Sequence, residues 1–434
     1  MTLVEIMVTM IISAIIAAST FMFFAGQQRI YETQTKLLNV QQNLWAAMEV
    51  VSRYARASGS GMYECVRPAN FANAAAQNGS RLLSANPSPG PLSASLANVP
   101  AAGLRAFNKN TNAMQWIPPL WIVNQSGGEG ALNVRPNTDI LTVAFGNRAS
   151  GTDIDAFLGA NFVATDDAIT LRDDGTGDMF REWEFAVLLV TPNWGYGTDP
   201  VVDRGCTLFQ ITNIPQALPR TTLDHAGATA APTPPGSIAW NPSGDVPAML
   251  PAGGYAGGTT AGVRNFGTLT WVSFFIQQNG GGAPNLMMRQ WHLEDPATNA
   301  PLTQILAEGI EDLQVSFACD TGTLVAKNLL TLNGELDEGT TDATKRTDEW
   351  WNNVPGDTLS PMGTQGFCNL PTAVRITLVA RTLAPDDLID AVGMGNGPLD
   401  AEDHVYPAPP SRPTDQFRRR VLTTTVFPRN NKPL

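Results

Sequence analysis

The N-terminal stretch of this chain decides how the rest must be arranged. Residues 1–26 read MTLVEIMVTMIISAIIAASTFMFFAG, and the segment 6–25 carries no charged side chain and no proline. As a helix, such a segment spans about 30 Å, the thickness of the hydrocarbon core of a membrane. It lacks the basic leading region and the A-x-A motif of a cleaved signal peptide. The segment therefore predicts a membrane-spanning helix.

The helix is predicted to continue well beyond the apolar segment. Residues 27–57 contain neither proline nor glycine. Apolar residues recur there every three or four positions and form one stripe, at Leu37, Val40, Leu44, Met48, Val51 and Ala55. The opposite face is polar, with Gln34, Gln41, Gln42, Glu49 and Arg53. We therefore expect one helix over 2–57, roughly 80 Å long, whose second half is amphipathic and packs on a globular body.

One acidic residue, Glu5, stands directly before the apolar segment. A carboxylate at the edge of hydrocarbon costs a few kcal/mol unless a cation or a hydrogen-bond donor compensates it. No basic side chain precedes Arg29. The compensating group is then the α-amino group of Met1, or the amino group of a neighbouring molecule shifted along the helix axis. A plain membrane anchor followed by a stalk explains the apolar segment but not Glu5.

Composition limits the class of the remaining body. The chain has 434 residues, of which 43% are hydrophobic and 15% charged, so it can bury a substantial core. Its net charge of −12 argues against a nucleic-acid partner, which would favour a basic surface. The four cysteines are far apart in sequence, so no CxxC metal or redox motif is present.

Beyond residue 66 the pattern changes to short β-rich runs between Gly, Pro, Asn and Asp clusters. Eight strands are predicted, over 138–146, 185–191, 206–212, 269–278, 285–293, 310–318, 373–382 and 420–427. In the run 373–380 the more apolar face, Val374, Ile376, Leu378 and Ala380, is expected to meet the helix stripe. The fold class is therefore α+β, with one long helix on an antiparallel, β-rich head over 58–434.

Two stretches are predicted to be long excursions rather than core. The segment 215–266 is rich in Pro, Gly, Ala and Thr, and the segment 68–115 is rich in Ala, Asn, Ser and Pro. Loops of such length are uncommon unless they are functional or disordered.

The cysteines are expected to form disulfides if the body lies outside the cytoplasm. Cys319 and Cys368 flank the excursion 321–367, so we predict that they pair, and that Cys65 and Cys206 form the remaining pair. Four buried thiols are the alternative. A disulfide closing that loop would stabilise the body by roughly 3–4 kcal/mol.

No catalytic pattern stands out, and the chain is not expected to be an enzyme. GxSxG, HExxH and P-loop motifs are absent; of the three histidines, His292 falls in a strand pattern, and His225 and His404 fall in polar loops. Asp173, Asp174 and Asp178 cluster around glycines and form a weak candidate for Ca²⁺, with a polar turn as the alternative. The aromatic pair Trp350 and Trp351 is either a contact patch or core, and core is favoured.

The segment TLVEIMVTMIISAIIAAS (2–19) resembles the N-terminus of type IV pilins and type II secretion pseudopilins. The resemblance implies that a prepilin peptidase cuts a short leader after a glycine and methylates the new N-terminus, here Met1. It also implies that the acid at the fifth mature position, here Glu5, guides docking into a growing filament. The chain is then expected in the inner membrane before assembly and on a cell-surface filament afterwards.

Further segments are similar to PilW-type minor pilins and their secretion counterpart GspJ. They are NLWAAMEVVSRYARASGSGMYEC (43–65), LAEGIEDLQVSFACD (306–320), LPTAVRITLVARTL (370–383) and FRRRVLTTTVFPRNN (417–431). The resemblance implies a filament subunit whose partners are other pilins, the inner-membrane assembly platform and the prepilin peptidase. The head is larger than is usual, through insertions at about 68–136 and 215–266. A secretion pseudopilin, a major subunit of its own filament, and a membrane-anchored surface adhesin remain as alternatives.

Overall fold

A computed structural model of the chain describes its helix and most of its strands. The described residues are 2–61, 80–82, 104–108, 113–117, 120–123, 133–148, 155–162, 166, 168–172, 176–190, 207–215, 221–225, 261–278, 280, 282–295, 300–318, 323–325, 329–331, 350–351, 373–385, 401 and 417–428. The structural statements below concern these residues.

One continuous helix, α1, runs from Leu3 to Ala57 and confirms the predicted long helix. Thr2 precedes it in an extended conformation as the N-cap. At the other end the Ser58 N–H donates to the Ala55 carbonyl at 3.2 Å, and Gly59 takes a φ of 75°. Glycine enters this left-handed region without strain, so the helix stops where the sequence predicts.

The described residues form twenty strands. They are β1 (Ser80–Leu82), β2 (Leu104–Asn108), β3 (Ala113–Ile117), β4 (Leu120–Val123), β5 (Ile140–Gly146), β6 (Ala156–Phe157), β7 (Ala168–Thr170), β8 (Phe185–Val190), β9 (Thr207–Gln210), β10 (Thr222–Asp224), β11 (Ala261–Gly267), β12 (Leu269–Gln277), β13 (Asn285–Asp295), β14 (Ala300–Glu308), β15 (Ile310–Ala318), β16 (Thr323–Val325), β17 (Leu329–Thr331), β18 (Trp350–Trp351), β19 (Ala373–Arg381) and β20 (Arg419–Val426).

Three larger sheets organise these strands. A five-stranded sheet has the order β14-β13-β12-β5-β4, and a four-stranded sheet has the order β18-β15-β19-β20. Both are antiparallel throughout. A seven-stranded sheet, β3-β2-β1-β9-β8-β11-β6, includes two parallel pairings at β1. The pairs β7–β10 and β16–β17 stand as two-stranded sheets. The α+β class, one long helix on antiparallel sheets, is confirmed.

The main core forms where the second half of α1 packs on the five- and four-stranded sheets. From the helix it takes Val40, Leu44, Ala47, Met48, Val51 and Ala55. From β19 it takes Val374, Ile376, Leu378 and Ala380, which is the face predicted to meet the helix. The alternate residues of β19 are covered differently. Arg375 lies over Trp350 at 4.4 Å, and the Thr377 and Thr423 hydroxyl oxygens are 3.0 Å apart.

A second hydrophobic core lies within the segment 147–268. Its members come from strands of the seven-stranded sheet, from β7 and β10, and from the turns between them: Ala156, Leu158, Phe162, Ile169, Leu171, Phe180, Ala186, Leu188, Phe209, Ile211, Ile214, Leu223 and Val263. The chain leaves the five-stranded sheet at Gly146 and returns at Leu269, and these two residues are paired in register. Asn147 Oδ1 accepts the Thr268 N–H at 2.9 Å across this junction.

Two glycines allow the close approach at this junction. A Cβ on Gly146 would lie 2.6 Å from the Phe266 carbonyl oxygen. Gly267 has a φ of 74°, and a Cβ there would lie 2.0 Å from Asn147 Oδ1. Neither position accepts a larger residue without a backbone shift.

The eight predicted strands are confirmed, each within one or two residues of its predicted ends. The prediction that 215–266 stays outside the core is wrong at both described ends. β10 lies within it and buries Leu223, and β11 occupies its last residues and buries Val263. In the segment 68–115, predicted to be an excursion, the described residues form β1, β2 and part of β3. Cross-strand pairing stabilises these runs despite their weak β-propensity.

Candidate assembly surface

The first half of α1 projects from the body with its apolar side chains exposed. α1 is long and apolar enough to cross a membrane, and none of its most apolar window is buried. The exposed side chains are Leu3, Val4, Ile6, Met7, Val8, Met10, Ile11, Ile12, Ile15, Ile16, Phe21, Met22, Phe23 and Phe24. We call this segment, Leu3–Phe24, the apolar half of α1. A contiguous apolar surface of this size requires lipid or another protein surface around it.

Three hydroxyl groups in the apolar half are satisfied within the helix. The hydroxyls of Thr9, Ser19 and Thr20 donate to the carbonyls of Ile6, Ile15 and Ile16, at 2.8–2.9 Å. An unpaired hydroxyl in hydrocarbon costs several kcal/mol, whereas one bonded to the preceding turn does not. These three hydroxyls therefore do not oppose burial of the helix in an apolar environment.

Glu5 lies on the first turn of the helix, exposed, with one carboxylate oxygen engaged. Its Oε2 accepts the backbone N–H of Thr2 at 2.8 Å. Its own N–H donates to the Thr2 carbonyl at 3.1 Å. A carboxylate at a helix N-terminus also gains from the helix dipole, by about 0.3–1 kcal/mol. Among the described residues no cationic group pairs with Glu5, and the α-amino group of Met1 lies outside them. Compensation of Glu5 by that amine therefore stays a prediction, and the Thr2 amide is the donor that the described residues show.

The second half of α1 is held firmly on the body. Tyr54 packs edge-on against Phe145 and Phe274, with ring centroids 5.9 and 5.6 Å away. The residues after the helix are tied to β5, because the Gly59 N–H donates to the Ala144 carbonyl at 3.0 Å and the Gly146 N–H donates to the Ser60 carbonyl at 2.9 Å. The projecting apolar half therefore extends from a fixed base.

A second exposed apolar feature lies on the second half of α1, which we call the clamped half because it packs on the body. Tyr31, Leu38 and Trp45 are 70%, 55% and 64% exposed. They are seven residues apart, so they lie along one side of α1, away from the buried stripe. We call these three residues the outer stripe. Their heptad spacing is visible in the sequence, although each of the three residues on its own resembles an ordinary surface position.

Gly26 separates the two halves of α1 and is not required by packing. A Cβ at this position would meet nothing within 4 Å. Its backbone remains helical. Because glycine costs about 1 kcal/mol in a helix interior relative to alanine, this is the point at which α1 is locally least stable.

The predicted disulfides and the candidate Ca²⁺ site lie mostly outside the described residues. Cys65, Cys206, Cys319 and Cys368 lie outside the described residues, so the disulfides stay a prediction, as do Asp173 and Asp174. Asp178 lies exposed on the 3₁₀ turn Thr176–Met179. The carbonyl of the next residue, Met179, accepts bonds from Arg148 and Asn265. Within the part of the chain that the structure describes, no group of three potential metal ligands occurs.

The histidine and tryptophan predictions are partly tested. His225 was predicted to lie in a polar loop, and this is wrong. It is buried beside Phe162 and Phe209, with ring centroids 5.3 and 5.7 Å away. His225 lies close in sequence to Leu223 of the second core, and it is buried against that core although its neighbours in sequence are polar. Trp350 is buried, as favoured for core. His292 lies on β13, and His404 lies outside the described residues.

One protein-family model matches the C-terminal part of the chain. Residues 273–430 match the family model PilW, described as Type IV Pilus-assembly protein W. The match begins within β12 and contains β13 to β20, including the strands β15, β19 and β20 that face or flank α1. It supports a PilW-type family and points to a protein related to type IV pilus assembly. Comparison with curated proteins and with solved structures gave no match.

Proposed function

We propose that this chain is a structural subunit of a type IV pilus filament, a PilW-like minor pilin that takes part in pilus assembly, adhesion or motility. One observation carries the proposal. An exposed apolar half-helix headed by Glu5 is continuous with a body whose C-terminal part matches PilW. The chain acts by assembly, and no enzymatic step is assigned to it.

The apolar half serves in two surroundings in turn. Before assembly it lies in the inner membrane, where lipid tails cover its side chains. After assembly the helices of other pilin subunits cover them, and the β-rich body faces outward on the cell surface. Each buried CH₂ contributes about 0.8 kcal/mol in either surrounding, so hydrophobicity alone does not favour the filament over the membrane.

Glu5 supplies the bias between these surroundings. The Thr2 amide satisfies only one oxygen of the carboxylate, and lipid offers no cation for the rest. The processed and N-methylated amino group of Met1 on a neighbouring subunit provides one. A charge-assisted hydrogen bond of this kind contributes about 1.5–3 kcal/mol. The assembly platform and the prepilin peptidase are the expected inner-membrane partners, the peptidase acting on a leader before Met1.

The outer stripe extends the proposed subunit contact beyond the membrane. Tyr31, Leu38 and Trp45 continue the apolar surface along the half of α1 that is clamped to the body. Aromatic and apolar side chains with heptad spacing suit packing against another helix or another body.

Substitution of Glu5 tests the proposal. Glu5→Leu keeps the helix apolar and the monomer folded, so the protein should remain in the membrane fraction. It should be absent from filaments sheared off the cells, because the bias towards the filament is lost. Glu49→Leu is the matched control, since Glu49 is also an exposed glutamate of α1 but lies on the clamped half. Equal recovery of both variants in sheared filaments would contradict the proposal.

Two measurements separate the alternatives. The subunit composition of purified filaments distinguishes a minor pilin, present in traces, from a major subunit, present as the main band. If the protein is found in a secretion pseudopilus instead, it is a type II secretion pseudopilin. N-terminal mass analysis distinguishes a processed and methylated Met1 from the unmodified N-terminus of a surface adhesin with an ordinary anchor.

A further inference from the structure

The five-stranded sheet carries an arginine on the face that points away from α1. On β13, Leu286 and Met288 belong to the main core under the helix. Arg289 alternates with them and therefore lies on the opposite face. Its cross-strand neighbours are Ser273 on β12 and Thr303 on β14. This position is unrelated to the helix contacts of the proposed filament.

Aromatic packing fixes the position of this guanidinium. The Cζ atom of Arg289 lies 4.5 Å from the centroid of the Trp291 ring. The indole N–H of Trp291 donates to Ser273 Oγ at 2.7 Å, and Ser273 Oγ lies 2.7 Å from Thr142 Oγ1. Trp271 packs beside Trp291 with ring centroids 5.9 Å apart. The platform under the arginine is buried and hydrogen-bonded, so the cation is pre-positioned.

Within the part of the chain that the structure describes, the cation has no anionic partner. Its Nε is buried without an acceptor, and no carboxylate among the described residues pairs with it. Burial lowers the pKa of Arg289, with desolvation as the cause. A buried donor without an acceptor is unfavourable, and stacking on an indole does not supply an acceptor.

A second arginine stacks on a tryptophan in the same way but also has a hydrogen-bond acceptor. Arg375 lies over the ring of Trp350 at 4.4 Å, almost the same stacking distance as in the first pair. Its Nε, however, donates to Ser316 Oγ at 3.2 Å. The two sites therefore differ in the acceptor and not in the stacking, which makes the missing acceptor at Arg289 specific to that site.

We propose that Arg289 is the anchor of a binding site for a carboxylate group. The planar guanidinium presents paired N–H donors that match the two oxygens of a carboxylate. A single positive charge balances one carboxylate, whereas a phosphate dianion would leave excess negative charge on a chain whose net charge is already −12. On β14, the edge strand of this sheet, Thr303 and Ile305 lie on the same face as Arg289 and are exposed. The carboxylate belongs to an acidic side chain or to an acidic sugar.

Calorimetric titration of the full-length protein in detergent tests the site. The probes are sodium acetate, N-acetylglutamate amide and galacturonate, each compared with sodium chloride at the same ionic strength. Saturable binding is expected for the carboxylates. Arg289→Gln should weaken it by about tenfold or more, the equivalent of one charge-assisted hydrogen bond. Arg289→Lys should weaken it less. Arg375→Gln is the matched control and should bind as the unsubstituted protein does.

Each outcome decides the proposal. Absence of saturable binding at matched ionic strength, or equal binding by Arg289→Gln, would overturn it. If Arg289→Gln does not fold, the comparison with Arg289→Lys decides, since unchanged affinity in the lysine variant contradicts bidentate recognition. Tightest binding of galacturonate, with galactose inactive, supports the site and identifies an acidic sugar. Tightest binding of N-acetylglutamate amide supports the site and identifies an acidic peptide. Filament incorporation is measured separately, so failure here leaves the assembly function intact.

Discussion

A single buried carboxylate faces three guanidinium groups where the two antiparallel sheets meet. Glu311, on β15, is fully buried. Its Oε1 accepts the Nε–H of the buried Arg419 at 3.0 Å, and Arg135 and Arg381 approach its oxygens at 3.9 Å. Arg135 also donates to the Glu311 carbonyl at 2.8 Å. Because three guanidinium groups contact this one carboxylate, loss of the carboxylate should destabilise the body more than loss of any one of these arginines.

The contacts give the expected order in which three substitutions lower the free energy of unfolding. Glu311→Gln keeps the size of the side chain but removes the buried charge that Arg419 Nε contacts at 3.0 Å, and breaking a buried ion pair costs about 3–5 kcal/mol. Arg135→Met removes one hydrogen bond and one long, partly exposed ion pair, which costs about 1–2 kcal/mol. Arg419→Met should fall between these values, since Glu311 retains the other two arginines.

Hydrogen exchange followed by mass spectrometry is the suitable assay, because the described residues form several separate hydrophobic cores and a whole-chain melting curve would combine them. Peptides covering β15 and β19 report the main core, and peptides covering β8 report the second core as an internal control. A loss of about 3 kcal/mol speeds exchange in β15 by roughly a hundredfold. Equal exchange in Glu311→Gln and Arg135→Met would refute the reasoning that one anion serves three cations.

Two further predictions use paired positions within the chain. Gly26→Ala should raise helix stability by about 0.5–1 kcal/mol, whereas Gly146→Ala should unfold the junction near Phe266, and circular dichroism with thermal melting compares them. Leu44→Ala should cost about 2–5 kcal/mol in the same melting assay because Leu44 is buried in the main core. Its exposed neighbour Trp45 should tolerate alanine in the monomer but lose incorporation into sheared filaments, and a matched loss of melting temperature in both variants would contradict this.

The elements with a strong period could be predicted from sequence. The stripe from Val40 to Ala55 has helical spacing, and 373–380 alternates, so each pattern also specified which face is buried. The structure confirms both faces. Glu5, at the N-terminal end of the candidate assembly surface, could also be identified from sequence, because a charged residue directly before a long apolar segment is unusual.

The elements that depend on distant partners could not be predicted. β11 reads AGVRNFG, with two glycines and a polar centre, yet it lies between β8 and β6 and is buried. β14 contains Pro301 and ends the five-stranded sheet. In both, pairing with neighbours overrides weak local propensity. Arg289 was hidden for the same reason, since only the sheet register places it opposite Ser273 with its Nε unsatisfied.

The junction at Gly146 and Leu269 has a consequence for how this protein accepts changes in length. These two residues are a register pair of adjacent antiparallel strands, so a two-residue turn would join β5 to β12 as a hairpin. The segment 147–268 leaves and re-enters the five-stranded sheet at this one register pair, so the register of that sheet does not depend on the number of residues between them. Its strand β9 also pairs with β1, which precedes the segment in the chain. We therefore expect insertions or deletions outside the strands of this segment to leave the packing of α1 on the five- and four-stranded sheets unchanged, so that the segment could carry a foreign sequence.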